Sequence, residues 1–126
     1  MARLTYTKPC ELLLKNYFDT WEGKSVEKLS EVFEEDARYF EKPFQKPIQG
    51  LKEISKYWLT HVLLQKNFKL KILKSFCYEN LAFAEWECEF DFKNIHHKLK
   101  GILYLEVNPK TKLASSLTEY FSTEKS

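Results

Sequence analysis

A chain of 126 residues that is 44% hydrophobic and 16% aromatic is one domain with enough apolar mass to bury a core without cross-links. Twenty basic residues against eighteen acidic ones leave a net charge of +2 with the signs interspersed, which excludes the clustered basic face that a nucleic-acid partner needs. Three cysteines, Cys10, Cys77 and Cys88, form no CxxC pair; they exclude a disulfide framework or a zinc site and point to a reducing compartment.

The opening MARLTYTKPCELLLK lacks a signal peptide's apolar run, and no segment reaches the roughly 20 apolar residues of a membrane span. A cytoplasmic protein with no membrane partner is expected. Residues 1–8 read as a loose arm. Pro9 suits a helix first turn, and Leu12, Leu13, Tyr17 and Trp21 recur at helical spacing, so the first helix is predicted from about Pro9 to Trp21 with Gly23 ending it. Ser25 can cap a second helix bearing the stripe Val26, Leu29, Val32 and Phe33.

The stretch from Asp36 to Trp58 reads as strand, turn and helix. Alternation over Ala37–Glu41 sets Ala37, Tyr39 and Glu41 on one face, Arg38 and Phe40 on the other. Pro43 and Pro47 break ladder pairing, so residues 42–49 are predicted as an irregular turn. Gly50 then releases a third helix, Leu51 to about Leu64, with Ile54, Tyr57, Trp58, His61 and Val62 on its inner side.

After Asn67 the period changes to two. Phe68, Leu70 and Ile72 oppose Lys69 and Lys71. Ala82, Ala84, Trp86, Cys88, Phe90 and Phe92 oppose Glu85, Glu87, Glu89 and Asp91. Leu99, Gly101, Leu103, Leu105 and Val107 oppose Lys98, Lys100, Tyr104 and Glu106. Tyr78–Asn80, Lys93–His96 and Asn108–Thr111 are the connecting turns, Leu113–Phe121 is the last strand, and residues 122–126 are a loose tail. In a meander the acidic strand lies between two lysine-bearing strands, a cross-strand charge ladder whose opposed pairs contribute about 0.2–1 kcal/mol each. The opposite, apolar face must be covered by the helices. The expected fold is therefore α+β, a curved antiparallel sheet with three N-terminal helices on one face, in a single domain over 1–126.

The words Asp36-Ala37-Arg38-Tyr39, Pro43-Phe44…Pro47-Ile48-Gln49-Gly50, Ile54…Tyr57-Trp58 and the closing Glu119-Tyr120-Phe121 resemble the SnoaL-like family of the nuclear transport factor 2 superfold. The resemblance runs from about Pro9 to Phe121. It implies a cone whose pocket lies between the concave sheet face and the helices, and a homodimer through the sheet. It also makes Trp86, Cys88, Phe90, Leu103, Leu105, Leu117 and Phe121 residues that line that pocket or fill its core. Tyr39 and Trp58, whose polar tips can turn toward a cavity, are the candidates to orient a ligand. The superfold hosts isomerases, cyclases, hydrolases and non-catalytic binding domains, so fold alone names no reaction.

Against ketosteroid isomerase, which shares this fold, alignment on Asp36-Ala37 puts Glu41 at the general-base position and Tyr17 at that of the oxyanion-hole tyrosine. Alignment on Pro43 puts Lys42 there instead, and Leu103 stands where that enzyme has its protonated acid. Glu41 either faces the cavity, where burial raises a carboxyl pKa, or pairs with Lys42 or Lys46. Glu119 shares the parity of Leu117 and Phe121, and either faces inward or bonds a neighbouring side chain. His61 is a further acid–base candidate. No Gly-rich phosphate cradle and no metal-ligand spacing occur, so neither cofactor nor metal is expected. Two readings follow: metal-free acid–base chemistry on a small apolar or aromatic molecule, carried by Glu41, Glu119, Tyr17 and His61, or a non-catalytic ligand-binding or dimeric interaction module.

Overall fold

A computed structural model describes residues 8–42 and 44–125; Pro43, Ser126 and all of the expected arm but Lys8 lie outside the described residues. The elements are α1 (Lys8–Gly23), a 3-10 helix (Val26–Glu31), β1 (Phe33–Phe40), β2 (Ile48–Gln49), α2 (Leu51–Thr60), β3 (Lys66–Tyr78), β4 (Leu81–Phe92), β5 (Ile95–Val107) and β6 (Ala114–Lys125). α1 buries Leu13, Leu14, Tyr17, Phe18 and Trp21, the stripe its spacing predicts. Lys24, not Gly23, takes the left-handed conformation that ends it, at φ 53°. The Ser25 N–H then donates to the Thr20 carbonyl and that of Lys24 to the Trp21 carbonyl, satisfying the last turn's orphan acceptors.

Three expected elements differ. The second helix is one short 3-10 segment without a side-chain cap from Ser25, and Phe33, assigned to its stripe, opens β1. Within the expected turn Ile48–Gln49 pairs with β1; the Gly50 N–H donates to the Ala37 carbonyl, and φ +89° at Gly50 redirects the chain into α2. α2 stops at Thr60 rather than Leu64. The His61 N–H still donates to the Tyr57 carbonyl, four residues back, but the Leu63 N–H donates to the Trp58 carbonyl, five residues back, so the regular helical ladder ends there.

The sheet order is β2-β1-β6-β5-β4-β3. β3 to β6 form the expected antiparallel meander, but β1 and β6 are parallel, because the chain between them crosses through α2 before the meander returns to β1. β6 continues to Lys125, so the residues expected as a tail pair with β5 as far as His97↔Lys125. The inner face carries the buried Ala82, Ala84, Trp86, Cys88 and Phe90 of β4, Leu103, Leu105 and Val107 of β5, and Leu117 of β6, all sealed by α1, the 3-10 helix and α2. This is an α+β cone: a curved six-stranded sheet with the N-terminal helices on its inner face.

On the outer face the expected order holds, the acidic strand lying between two lysine-bearing ones. Lys69 and Lys71 stand opposite Glu89 and Glu87, which stand opposite Lys98 and Lys100. Among the described residues, however, none of these lysines closes an ion pair with an acid it faces; Glu89 is held by His96 Nε2 at 2.9 Å, and His96 Nδ1 meets Asp91 at 2.8 Å. His96 is free to do so because only Lys93 and Asn94, both at positive φ, form the β4–β5 turn, a two-residue hairpin loop.

Gly101 sits where β5 meets both Trp86 and Phe121. A Cβ there would stand 2.1 Å from the Tyr120 carbonyl oxygen and 2.6 Å from Phe121 Cβ, contacts that only backbone movement relieves. Gly101→Ala is expected to destabilise the fold by at least about 2 kcal/mol, seen as a melting temperature lowered by roughly 5–10 °C; an unchanged melt would contradict this close approach.

Candidate functional site

The site is built on α1, β1, α2 and the inner face of β6. Tyr17 from α1 and Tyr39 from β1 are buried, with their hydroxyls 3.4 Å apart. Trp58 from α2 meets the Tyr17 ring edge-on at 6.1 Å, and Tyr57 lies 5.8 Å from Tyr39. Trp86 closes the far wall, 5.2 Å from Trp21 and 6.1 Å from Phe121. Among the described residues the buried indole N–H groups of Trp58 and Trp86 have no acceptor, although buried donors are nearly always paired.

Into this aromatic shell projects Glu119. Strand parity between Leu117 and Phe121 turns it inward, and its side chain is only 5% exposed. The bond to a neighbouring side chain that would have satisfied it is absent among the described residues. Burial, and secondarily the negative charge of Glu41, push its carboxyl up to about 8, so it is protonated at neutral pH. Tyr17 and Tyr39 are held well above the usual phenol range, by burial first and the Glu119 charge second. Burial and then the charge of Glu41 do the same to Tyr57. The phenols are therefore neutral donors.

The shell encloses a cavity of about 50 Å³, room for one small group. Outside it a mouth of about 470 Å³ is lined by Glu41, Lys42, Phe44, Gln45, Phe121 and Thr123. Glu41 and Phe121 line both spaces, so they form the neck between them, one carboxylate at the neck and a second inside. A larger groove, about 620 Å³, lies across the charged rows of the outer face, and Leu99 borders both it and the cavity.

Of the residues expected from the sequence, the structure brings together Glu41, Glu119, Tyr17, Tyr39, Trp58, Trp86 and Phe121. Leu103 and Leu117 are fully buried core, and Phe90 stacks on His97 at 5.4 Å; none of the three lines the cavity. Cys88 is likewise core, its thiol pushed up to about 12 by burial, Glu119 and Glu89, which removes it as a nucleophile. His61 does not reach the interior. It is exposed, stacked on the outer side of Tyr57 at 4.4 Å, because the helix whose stripe would have carried it inward has ended one residue earlier. Trp21, Tyr57, Val62, Gln65 and Leu99 also line the cavity. Tyr57 was legible on the inner stripe with Ile54 and Trp58, whereas Gln65 lies past the helix and is fixed by its bond from the Trp21 indole at 3.3 Å. Leu103 stands directly opposite Glu119 across the β5–β6 ladder.

The SnoaL-like domain family matches residues 14–111. The chain belongs to that family. No curated protein matches it. Among solved structures this SnoaL-like domain is similar to RV0760c from Mycobacterium tuberculosis, at TM-score 0.82 and 12% identity over 98% of this chain and 100% of that one. It is similar to SalBIII, an epoxide hydrolase/cyclase-like enzyme of pyran ring formation in the polyether salinomycin, at TM-score 0.79 and 12% identity over 91% and 92%. It is similar to a computationally designed 17-OHP binder at TM-score 0.79 and 13% identity over 94% and 96%. At these identities the likeness is one of fold. Among the described residues no helix is long and apolar enough to cross a membrane.

Protonation of Glu119 is linked to stability. Its pKa is about 8 in the folded domain against 4.5 for a free carboxyl, so the contribution is complete below the lower value and is lost as pH rises through the upper one. Glu119→Gln has no proton to lose. Thermal melts across this window should show the variant gaining on wild type as pH rises, by up to roughly 4 kcal/mol above pH 8. His96, raised mainly by its bond to Asp91, titrates in both proteins and cancels in the difference. Parallel stability curves would contradict a protonated Glu119.

Proposed function

We propose that this SnoaL-like domain binds a small, largely apolar organic molecule in the mouth between Phe44 and Phe121, inserts one acceptor oxygen through the neck, and carries out metal-free acid–base chemistry on it. The observation that carries this reading is the buried, protonated Glu119 in a cavity otherwise rich in unspent donors. Among the described residues the Trp58 and Trp86 N–H groups have no acceptor, and one hydroxyl of the Tyr17–Tyr39 pair can donate inward whichever donates to the other. A donor-rich apolar cavity of this size selects a carbonyl-type oxygen over a hydroxyl or an amine.

The two carboxyls then divide the work. Glu41, at the neck, accepts a proton from a carbon beside the bound carbonyl or from an attacking water. Glu119 and the tyrosines donate to the oxygen on which negative charge develops, a role in which single donors are commonly worth about 10²–10³ in rate. Positioned proton transfer adds about 10²–10⁴. Environments that push two neighbouring carboxyls apart in pKa are the usual basis of such a division.

The small inner volume favours a second reading, a non-catalytic carrier whose ligand sits mainly in the mouth. A thermal-shift screen of cyclic ketones and enones supplies the ligand that separates the two. With a stabilising ligand in hand, Glu41→Gln is expected to lower turnover at least about 10²-fold while leaving the melting temperature nearly unchanged. Turnover at the wild-type rate removes Glu41 from the chemistry, and binding with no turnover in either protein assigns the carrier role.

A further inference from the structure

The first turn of α1 lies against the end of β3, and each contributes a thiol. Cys10 is buried, and its Sγ donates to the carbonyl of Glu79, the residue that opens the β3–β4 turn, at 3.5 Å. Cys77 lies two residues before Glu79 and is half-buried. It stands opposite Ala82 across the β3–β4 ladder. Directly opposed residues share a face of the sheet, and Ala82 is fully buried on the inner face. Cys77 therefore points toward the helices and packs on the core that contains Cys10, while its neighbour Phe76 stacks on Phe83 on the outer face. Both sulfurs are reduced thiols in this structure. Burial raises the pKa of Cys10, and the Cys77 side chain beside it lowers it again in part.

We propose that Cys10 and Cys77 are a reversible disulfide pair, oxidised by a peroxide, that fastens the first turn of α1 to the end of β3. A groove of about 300 Å³ between α1 and β3 is lined by Cys77 together with Leu14, Phe18 and Leu70, so a molecule as small as hydrogen peroxide reaches that sulfur first. The Cys77 thiolate attacks one peroxide oxygen; an S–O bond forms, the O–O bond breaks and hydroxide leaves. Cys10 gives up its proton and attacks the Cys77 sulfur; the S–S bond forms and the S–O bond breaks, releasing the second oxygen as hydroxide. The two thiol protons convert both hydroxides to water. Two thiols have thus passed two electrons to one peroxide.

Cys88 takes no part. It is buried on β4 with its thiol pushed up to about 12, where little of the reactive thiolate forms. A bond between residues 10 and 77 closes a loop that holds β1, β2 and α2, and cross-links restrict the unfolded chain more as the loop lengthens. Reversible bonds of this kind are the ones that a reducing compartment allows, so the pair fits a chain without a disulfide framework. The groove beside Cys77 shares no lining residue with the inner cavity or its mouth. The pairing therefore stands independently of the chemistry proposed there.

The test is treatment of the full chain with hydrogen peroxide, then alkylation under denaturing conditions, intact mass and peptide mapping. Wild type is expected to become about 2 Da lighter before alkylation and to keep one of its three thiols, that of Cys88. Mapping should recover a peptide pair joined through Cys10 and Cys77. The melting temperature of the oxidised chain should rise by roughly 5 °C or more and return to its starting value on treatment with dithiothreitol. In Cys10→Ser, Cys77 has no thiol to resolve its sulfenic acid, so oxidation should add about 16 or 32 Da instead of removing mass. Three intact thiols after oxidation of wild type, a bond that includes Cys88, or a bond between two chains overturns the proposal, and none of these results depends on a variant that must fold. An oxidised chain that melts no higher than the reduced one overturns the fastening of α1.

Discussion

A carboxyl group held inside an aromatic shell governs how this domain is put together at its open end. Moving an unpaired carboxylate from water into such surroundings costs several kcal/mol, and a side chain so placed keeps its proton instead. Glu119 is in that position. The parity of β6 turns it inward, Leu103 blocks the ladder position opposite, and Glu41 adds a negative charge on the solvent side. The phenols of Tyr17, Tyr39 and Tyr57 respond to the same field and stay neutral. A cluster assembled for packing alone would have put a leucine at 119.

The spatial order of the two acids matters as much as their pKa values. Glu41 and Phe121 border both the inner cavity and the mouth, so a ligand entering from solvent meets the more accessible carboxylate first and the proton donor last. That polarity, acceptor at the neck and donors at the blind end, suits a molecule whose oxygen leads and whose apolar body follows. Most of the interior is filled by Trp21, Trp58 and Trp86, which leaves room for one small group.

Much of this was legible from residue order. The alternation along Ala82–Phe92 set the two faces of β4, and the order of lysine-, acid- and lysine-bearing strands pointed to the pairing of β3, β4 and β5. The inward parity of Ala37 and Tyr39, and of Glu119 with Phe121, was equally open to reading. What sequence could not carry were features set by how elements end and dock. His61 left the interior because α2 ends at Thr60. His96 joined the sheet because the hairpin needs only Lys93 and Asn94. The parallel pairing of β1 with β6 depends on the path through α2. The lining by Gln65, which lies past the end of α2, depends on how the chain leaves that helix, which no periodicity encodes.

The central claim is that Glu119 is a neutral acid at physiological pH. Carbon-13 NMR titration of the glutamate side-chain carboxyls, with Glu119 assigned by its loss in Glu119→Gln, measures this directly. The account predicts a midpoint near 8, displaced downward when Glu41 is replaced by Gln and its charge removed. A midpoint in the ordinary carboxylate range, about 4 to 5, would contradict it.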